Sequence, residues 1–174
     1  VAVSIDVDTI YPNFEPVLRN IDYLVAGSGW AAKWTNEADP FLALALLERE
    51  YGMRVAAMTL GDRGALALYQ GHWFYSAAFE VACADTTGAG DVFHGAFCYA
   101  ILDGMPMDRA LEFSNAAAAL NCMAIGARGN VPVRGEIDAL LNAAKAGKVR
   151  RREAPDIRAR AAAKSNPAAA ATTR

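Results

Sequence analysis

Residues 85–95 read Asp-Thr-Thr-Gly-Ala-Gly-Asp-Val-Phe-His-Gly and leave the chain few ways to fold around them. An apolar, strand-like run from Phe79 to Ala84 enters the segment, and a helical run leaves it. Glycines at such a junction let backbone N–H groups converge on one point, and the start of the helix adds the positive end of its dipole. The place suits anionic oxygens. Asp91 stands beside it, where a carboxylate can take the proton of a hydroxyl attacking a phosphate. A plain glycine turn with an Asp capping a helix is the simpler alternative, but it needs only part of this pattern.

Two other phosphate motifs are absent. No G-x-x-x-x-G-K-[ST] occurs, which excludes a P-loop, and Gly88-Ala89-Gly90 lacks the third glycine of a dinucleotide fingerprint. The 174 residues suffice for one core, and 54% of them are apolar. With a net charge of −2, nothing asks for nucleic acid, and the basic cluster Lys148 to Arg152 reads as a solvated helix end. Cys83, Cys98 and Cys122 lack C-x-x-C spacing and read as small core residues in a reducing compartment. No apolar run is long enough to span a bilayer and no signal peptide is visible, so a soluble, cytoplasmic protein without membrane partners is the expectation.

Strands are predicted at Val1 to Val7, Tyr23 to Ala26, Arg54 to Leu60 and Phe79 to Ala84, with a hairpin of Ala65 to Tyr69 and His72 to Tyr75. Pro16 to Asn20 reads as a short helix. Asp39 caps a longer one with Pro40 at its first position, and Phe41, Leu42, Ala45, Leu46 and Tyr51 recur at helical spacing. Further helices are expected at Asp91 to Asp103, Asp108 to Ile125 and Glu136 to Ala146; from Pro155 the chain is Ala/Arg-rich, and Ser165 to Arg174 reads as a disordered tail. Trp30 and Trp34, at helical spacing, read as core. The alternation of strands and helices means an α/β sheet with helices on both faces.

A second stretch, Thr59-Leu60-Gly61-Asp62-Arg63-Gly64-Ala65, is a buried strand ending in a glycine-flanked turn, a place able to hold nucleotide phosphates or ribose. Most isolated G-x-x-G turns are only hairpin turns.

Residues 85–93 resemble the signature of the ribokinase-like (PfkB) carbohydrate kinases, roughly D-T-x-G-A-G-D-x-F. Asp85, Thr86, Gly88, Ala89, Gly90, Asp91 and Phe93 fill every fixed position. The resemblance implies a ribokinase-like α/β fold, with Gly88, Ala89 and Gly90 as an anion hole and Asp91 as catalytic base. It also implies transfer of the ATP γ-phosphate to a sugar hydroxyl. Thr59, Gly61, Asp62 and Gly64 look like the family's nucleotide loop, and Asn115 falls at the rim of its adenine pocket; a helix residue packing against the sheet is the other reading of Asn115. Asp85 and Thr87, with the loop Gly126 to Pro132, would hold a monovalent cation such as potassium; alternatively that loop merely ends a helix, with Gly126 as its cap. The family's N-x-x-E motif is missing, since Gly27-Ser28-Gly29-Trp30 stands in its place, so Mg2+ is expected with ATP but without assigned ligands. His94 receives no role.

The chain opens on Val1-Ala2-Val3-Ser4-Ile5-Asp6, already strand-like and without a methionine. The resemblance covers the C-terminal half of such a kinase, with the acceptor-binding half and lid upstream. Residues 1–153 are then its nucleotide-binding and catalytic part, and 154–174 a flexible tail. A homodimer is a further expectation. A nucleoside or small-alcohol kinase, or a nucleotide-binding fragment without turnover, remain the alternatives.

Overall fold

The computed structural model describes residues 1–165. In chain order its elements are β1 (Ser4–Val7), α1 (Glu15–Leu18), β2 (Tyr23–Gly27), α2 (Ser28–Thr35), α3 (Pro40–Tyr51), β3 (Val55–Thr59) and a 3-10 turn, Gly61–Arg63. There follow β4 (Ala65–Tyr69), β5 (His72–Ser76), β6 (Ala78–Phe79), α4 (Ala89–Leu102), α5 (Met107–Asn121), α6 (Arg134–Lys145), β7 (Arg151–Arg152) and α7 (Pro155–Ser165). They form two units, each with its own interior.

The first unit comprises Val1–Leu60, Leu66–Tyr75 and the segment from Pro155. Its five-stranded sheet runs β1-β2-β3-β4-β5, with the edge residues Ala65 and Ser76 falling in the second unit. β1, β2 and β3 are parallel, with Val25 opposite Ala57. Leu24, Val25 and Ala26 on β2 and Val55, Ala56 and Ala57 on β3 are fully buried, as continuous apolar runs in parallel strands must be. β4 and β5 are neighbours joined by two residues, a connection only antiparallel strands allow.

Local chemistry sets the helices. Asp39 Oδ1 accepts the Phe41 N–H at 2.9 Å, Pro40 supplies a first position that needs no donor, and Gly52 closes α3 at φ +69°. Burial pushes the Asp39 carboxyl up, but hydrogen bonds from Arg160 and from the Phe41 backbone outweigh it and hold the group below the usual carboxylate range. The buried face of α3 is Phe41, Ala43, Leu44 and Leu47; Leu42, expected inside, is half exposed. Trp30 is buried, as expected of core, and stacks at 5.2 Å on Trp34, which is only half-buried.

Several expectations are corrected, among them the core reading of the cysteines: Cys83 is exposed, and Cys98 and Cys122 are half-buried. The strand predicted at Phe79 to Ala84 is only Ala78–Phe79, and it pairs antiparallel with β7. Beyond it the Ala84 and Asp85 N–H groups donate to the carbonyl of Cys122, so the chain trades sheet pairing for the end of α5. The predicted flexible tail, 154–174, is helical over Pro155–Ser165, with Ile157 and Ala161 buried one turn apart. Ser165 Oγ accepts from Trp73 N and donates to Trp73 O, and Arg160 donates to Asp39 Oδ2 at 2.5 Å. The remainder of that tail lies outside the described residues.

The second unit, Gly61–Ala65 and Ser76–Ala154, holds α4, α5 and α6. α4 packs against α5; Phe93, Phe97 and Ala100 of α4 are buried, and the alanines of α5 permit close approach. Among the described residues no helix is long and apolar enough to cross a membrane.

Candidate active site

Gly88 sits at φ +80° as the N-cap of α4 and turns the chain into the helix. A Cβ there would lie 2.7 Å from Ala127 Cα and 2.8 Å from Ala127 O, so only glycine fits, on grounds of both angle and space. The Ala89 N–H donates to Thr86 O at 3.2 Å, and Val92 donates to Gly88 O at 2.9 Å. The N–H groups of Gly88, Gly90 and Asp91 have no acceptor among the described residues. Two of the three expected anion-hole amides are therefore open, and the third makes a long turn bond. Asp91 lies exposed in the first turn of α4, and its carboxylate takes no partner among the described residues.

Asp85 braces this turn. Its Oδ1 accepts Thr87 N–H at 3.0 Å and Thr87 Oγ1–H at 2.7 Å, and its Oδ2 accepts Gly126 N–H at 2.8 Å. The Thr87 backbone and hydroxyl, then the Gly126 backbone, hold the Asp85 carboxyl below the usual carboxylate range. Stability from these bonds is present above the unfolded carboxyl's value of about 3.9 and is lost as pH falls through the lower folded value. The stability difference between wild type and Asp85→Asn is expected to hold from neutral pH to about 5 and to shrink below about 4. Denaturant midpoints measured across that range check this; a difference undiminished at the acid end counts against the bracing role.

The loop after α5 is held from behind by residues the sequence did not single out. Asn121, fully buried, donates from Nδ2 to the carbonyls of Ala127 and Asn130, at 3.2 and 3.0 Å. Asn130 donates back to Leu120 O at 2.9 Å. Ala127 thus backs Gly88 from a fixed position. An Asn closing an alanine-rich helix, with a second Asn nine residues on, was the only sequence signal.

Gly61–Arg63 forms the single 3-10 turn of the expected nucleotide loop, and Gly64 donates back to Gly61 O at 3.1 Å. Gly64 has φ +93°, and a Cβ there would lie 2.0 Å from Ser76 O. Asn115, 8% exposed, donates to Ser76 O at 2.9 Å, so the Ser76–Ala77 backbone joins it to the loop. Its amide nitrogen is thus engaged by main chain. Asp62 is exposed and accepts from Arg152 at 2.6 Å. Thr59 closes β3 in the first unit, in register with Gly27.

A cleft of about 460 Å³ opens in the second unit beside Asp91, walled by Gly95, Tyr99, Phe113, Arg128 and Pro132 among others. Its surface is largely apolar, with Asp91 the carboxylate on its wall. No cluster of three His, Cys, Asp or Glu able to hold a metal occurs among the described residues.

The family model for pfkB family carbohydrate kinases matches residues 7–134. Ribokinase from Bacillus subtilis is 37% identical over 112 residues, 55% of this chain and 38% of that protein. Arabidopsis thaliana ribokinase, solved with ribose and ATP, superposes with a TM-score of 0.74 at 30% identity, covering 81% of this chain and 47% of that one. An Escherichia coli protein described as a ribokinase II, in complex with ATP and Mg2+, gives 0.69 at 26%, covering 74% and 42%. The chain spans less than half the length of these relatives. A complete D-T-x-G-A-G-D-x-F on an open helix N-terminus, a mixed five-stranded sheet with helices and a family match from Val7 to Arg134 lead to one conclusion: the chain belongs to the pfkB family of carbohydrate kinases.

Proposed function

We propose that the chain carries the nucleotide-binding and catalytic half of an ATP-dependent sugar kinase of the cytoplasm. The observation behind this reading is the pairing of open amides at Gly88 and Gly90 with a partner-free carboxylate at Asp91. Asp91 takes the proton of the attacking sugar hydroxyl. The amides of Gly88 and Gly90, helped by the dipole of α4, hold the oxygens of the phosphoryl group as charge moves through it. Gly61, Asp62 and Gly64, with Asn115, take the nucleotide. Mg2+ comes with ATP and neutralises phosphate charge. Potassium, a large and weakly hydrated cation, suits the carbonyls of the 126–132 loop beside Asp85 and Thr87 and would stiffen the turn at Gly88.

The preference for a sugar over a nucleoside or another small alcohol rests on relatives such as the ribose-bound Arabidopsis enzyme. The test is ADP release from MgATP with a panel of sugars, nucleosides and small alcohols, in potassium and in choline salts. Sugar-dependent ADP release, faster in potassium, is expected. Release with nucleosides alone moves the acceptor class, ATP binding without turnover leaves a nucleotide-binding fragment, and no ATP binding overturns the reading.

A further inference from the structure

Within the basic cluster Lys148 to Arg152, whose Lys148, Arg150 and Arg152 are exposed, Arg151 departs from the solvated helix end that composition suggests. Arg151 lies on β7 with only 21% of its side chain exposed. Its guanidinium donates twice to Ala77 O, at 2.6 and 3.2 Å, once to Ser76 Oγ at 3.0 Å and once to Glu112 Oε1 at 2.8 Å. Its carbon centre rests 3.9 Å above the Phe79 ring. Glu112 is itself held by Arg109 at 2.5 Å.

The backbone that Arg151 grips is the wall against which the Gly61–Gly64 turn packs. Ser76 O accepts from Asn115 on one side and meets the bare Cα of Gly64 on the other. Ala77 is fully buried, and Arg151 gives its carbonyl the shortest hydrogen bond it receives. Next along β7, Arg152 reaches Asp62 within the turn itself.

Resting on the nucleotide reading of Gly61 to Gly64 above, we infer that Arg151 is a positioning residue for ATP. Anchored by Glu112, it fixes the Ser76–Ala77 wall and so the shape of the nucleotide turn. Without it the Ala77 carbonyl keeps only the long bond from Asn115 Nδ2, 3.4 Å, and contacts as tight as Gly64 against Ser76 transmit the shift. A lysine cannot replace it, because one ammonium cannot span Ala77 O, Ser76 Oγ and Glu112 together. The exposed Arg152–Asp62 pair contributes little.

The experiment measures calorimetric affinity for MgATP and for tripolyphosphate, which probes the Gly88 cradle alone, at a temperature where circular dichroism shows each variant folded. Arg151→Met is expected to weaken ATP about tenfold, and Arg151→Lys and Glu112→Gln about threefold or more, with tripolyphosphate binding and Arg152→Ala within about twofold of the parent. Should the Met variant fail to fold, the Lys and Gln variants decide. Unchanged ATP affinity in folded variants, or parallel losses for ATP and tripolyphosphate, overturns the inference while leaving the kinase reading standing. A parent chain that binds no ATP overturns both.

Discussion

Replacing Asp91 with asparagine in protein that turns over ATP is expected to lower kcat by about 10²- to 10⁴-fold, with ATP affinity held within about twofold. The amide matches the carboxylate in shape and cannot accept the hydroxyl proton. Because Asp91 is exposed and has no partner among the described residues, its loss strands no other polar group. The stability cost is then only the lost charge at the start of α4, about 0.3–1 kcal/mol. A large fall in kcat with a melting temperature lowered by no more than about 4 °C is the signature of proton transfer. A loss under about tenfold would refute the base assignment, since general-base catalysis accounts for more than that.

The proposed phosphate end of the site was legible because its residues are contiguous. One eleven-residue stretch supplies the glycine of positive φ, the open amides, the candidate base and the bracing Asp85. The capped start of α3 and the buried pair β2 and β3 were legible for the same reason, since cap chemistry and apolar runs are local. What stayed hidden depends on distant partners. β6 stops at Phe79 because the acceptors for Ala84 and Asp85 lie at Cys122, the end of another helix. Asn121 matters only through the carbonyls it reaches, and Arg151 only through a wall that Gly64 also touches. The Ala/Arg-rich stretch from Pro155 reads as a flexible tail by composition, yet Ile157 and Ala161, spaced one helical turn apart, bury together, and alanine favours the helix that brings them there. Leu42 shows the finer limit: spacing identified the helix α3 and missed its buried face.

Gly88→Ala is expected to cost about 2–5 kcal/mol in stability and to reduce turnover by at least about 10². Two effects add. An L-residue at φ +80° loses about 1–2 kcal/mol from the conformation alone. The new methyl must also displace the backbone of Ala127, 2.7–2.8 Å away, for about 1–3 kcal/mol more. Gly126→Ala separates them, because Gly126 has φ +88° and open space where a Cβ would go, so it carries the conformational cost without the collision. Chemical denaturation of both variants reads the difference, and Gly88→Ala should be the less stable by about 1–3 kcal/mol. Equal losses would mean that Ala127 yields freely. The hydrogen bonds from Asn121 to Ala127 O and from Gly126 N to Asp85 argue against that, since retreat would stretch both. The same rigidity explains why catalysis should suffer beyond the stability loss: an amide cradle aids a phosphoryl transfer only while its donors stay aimed at the charge that develops.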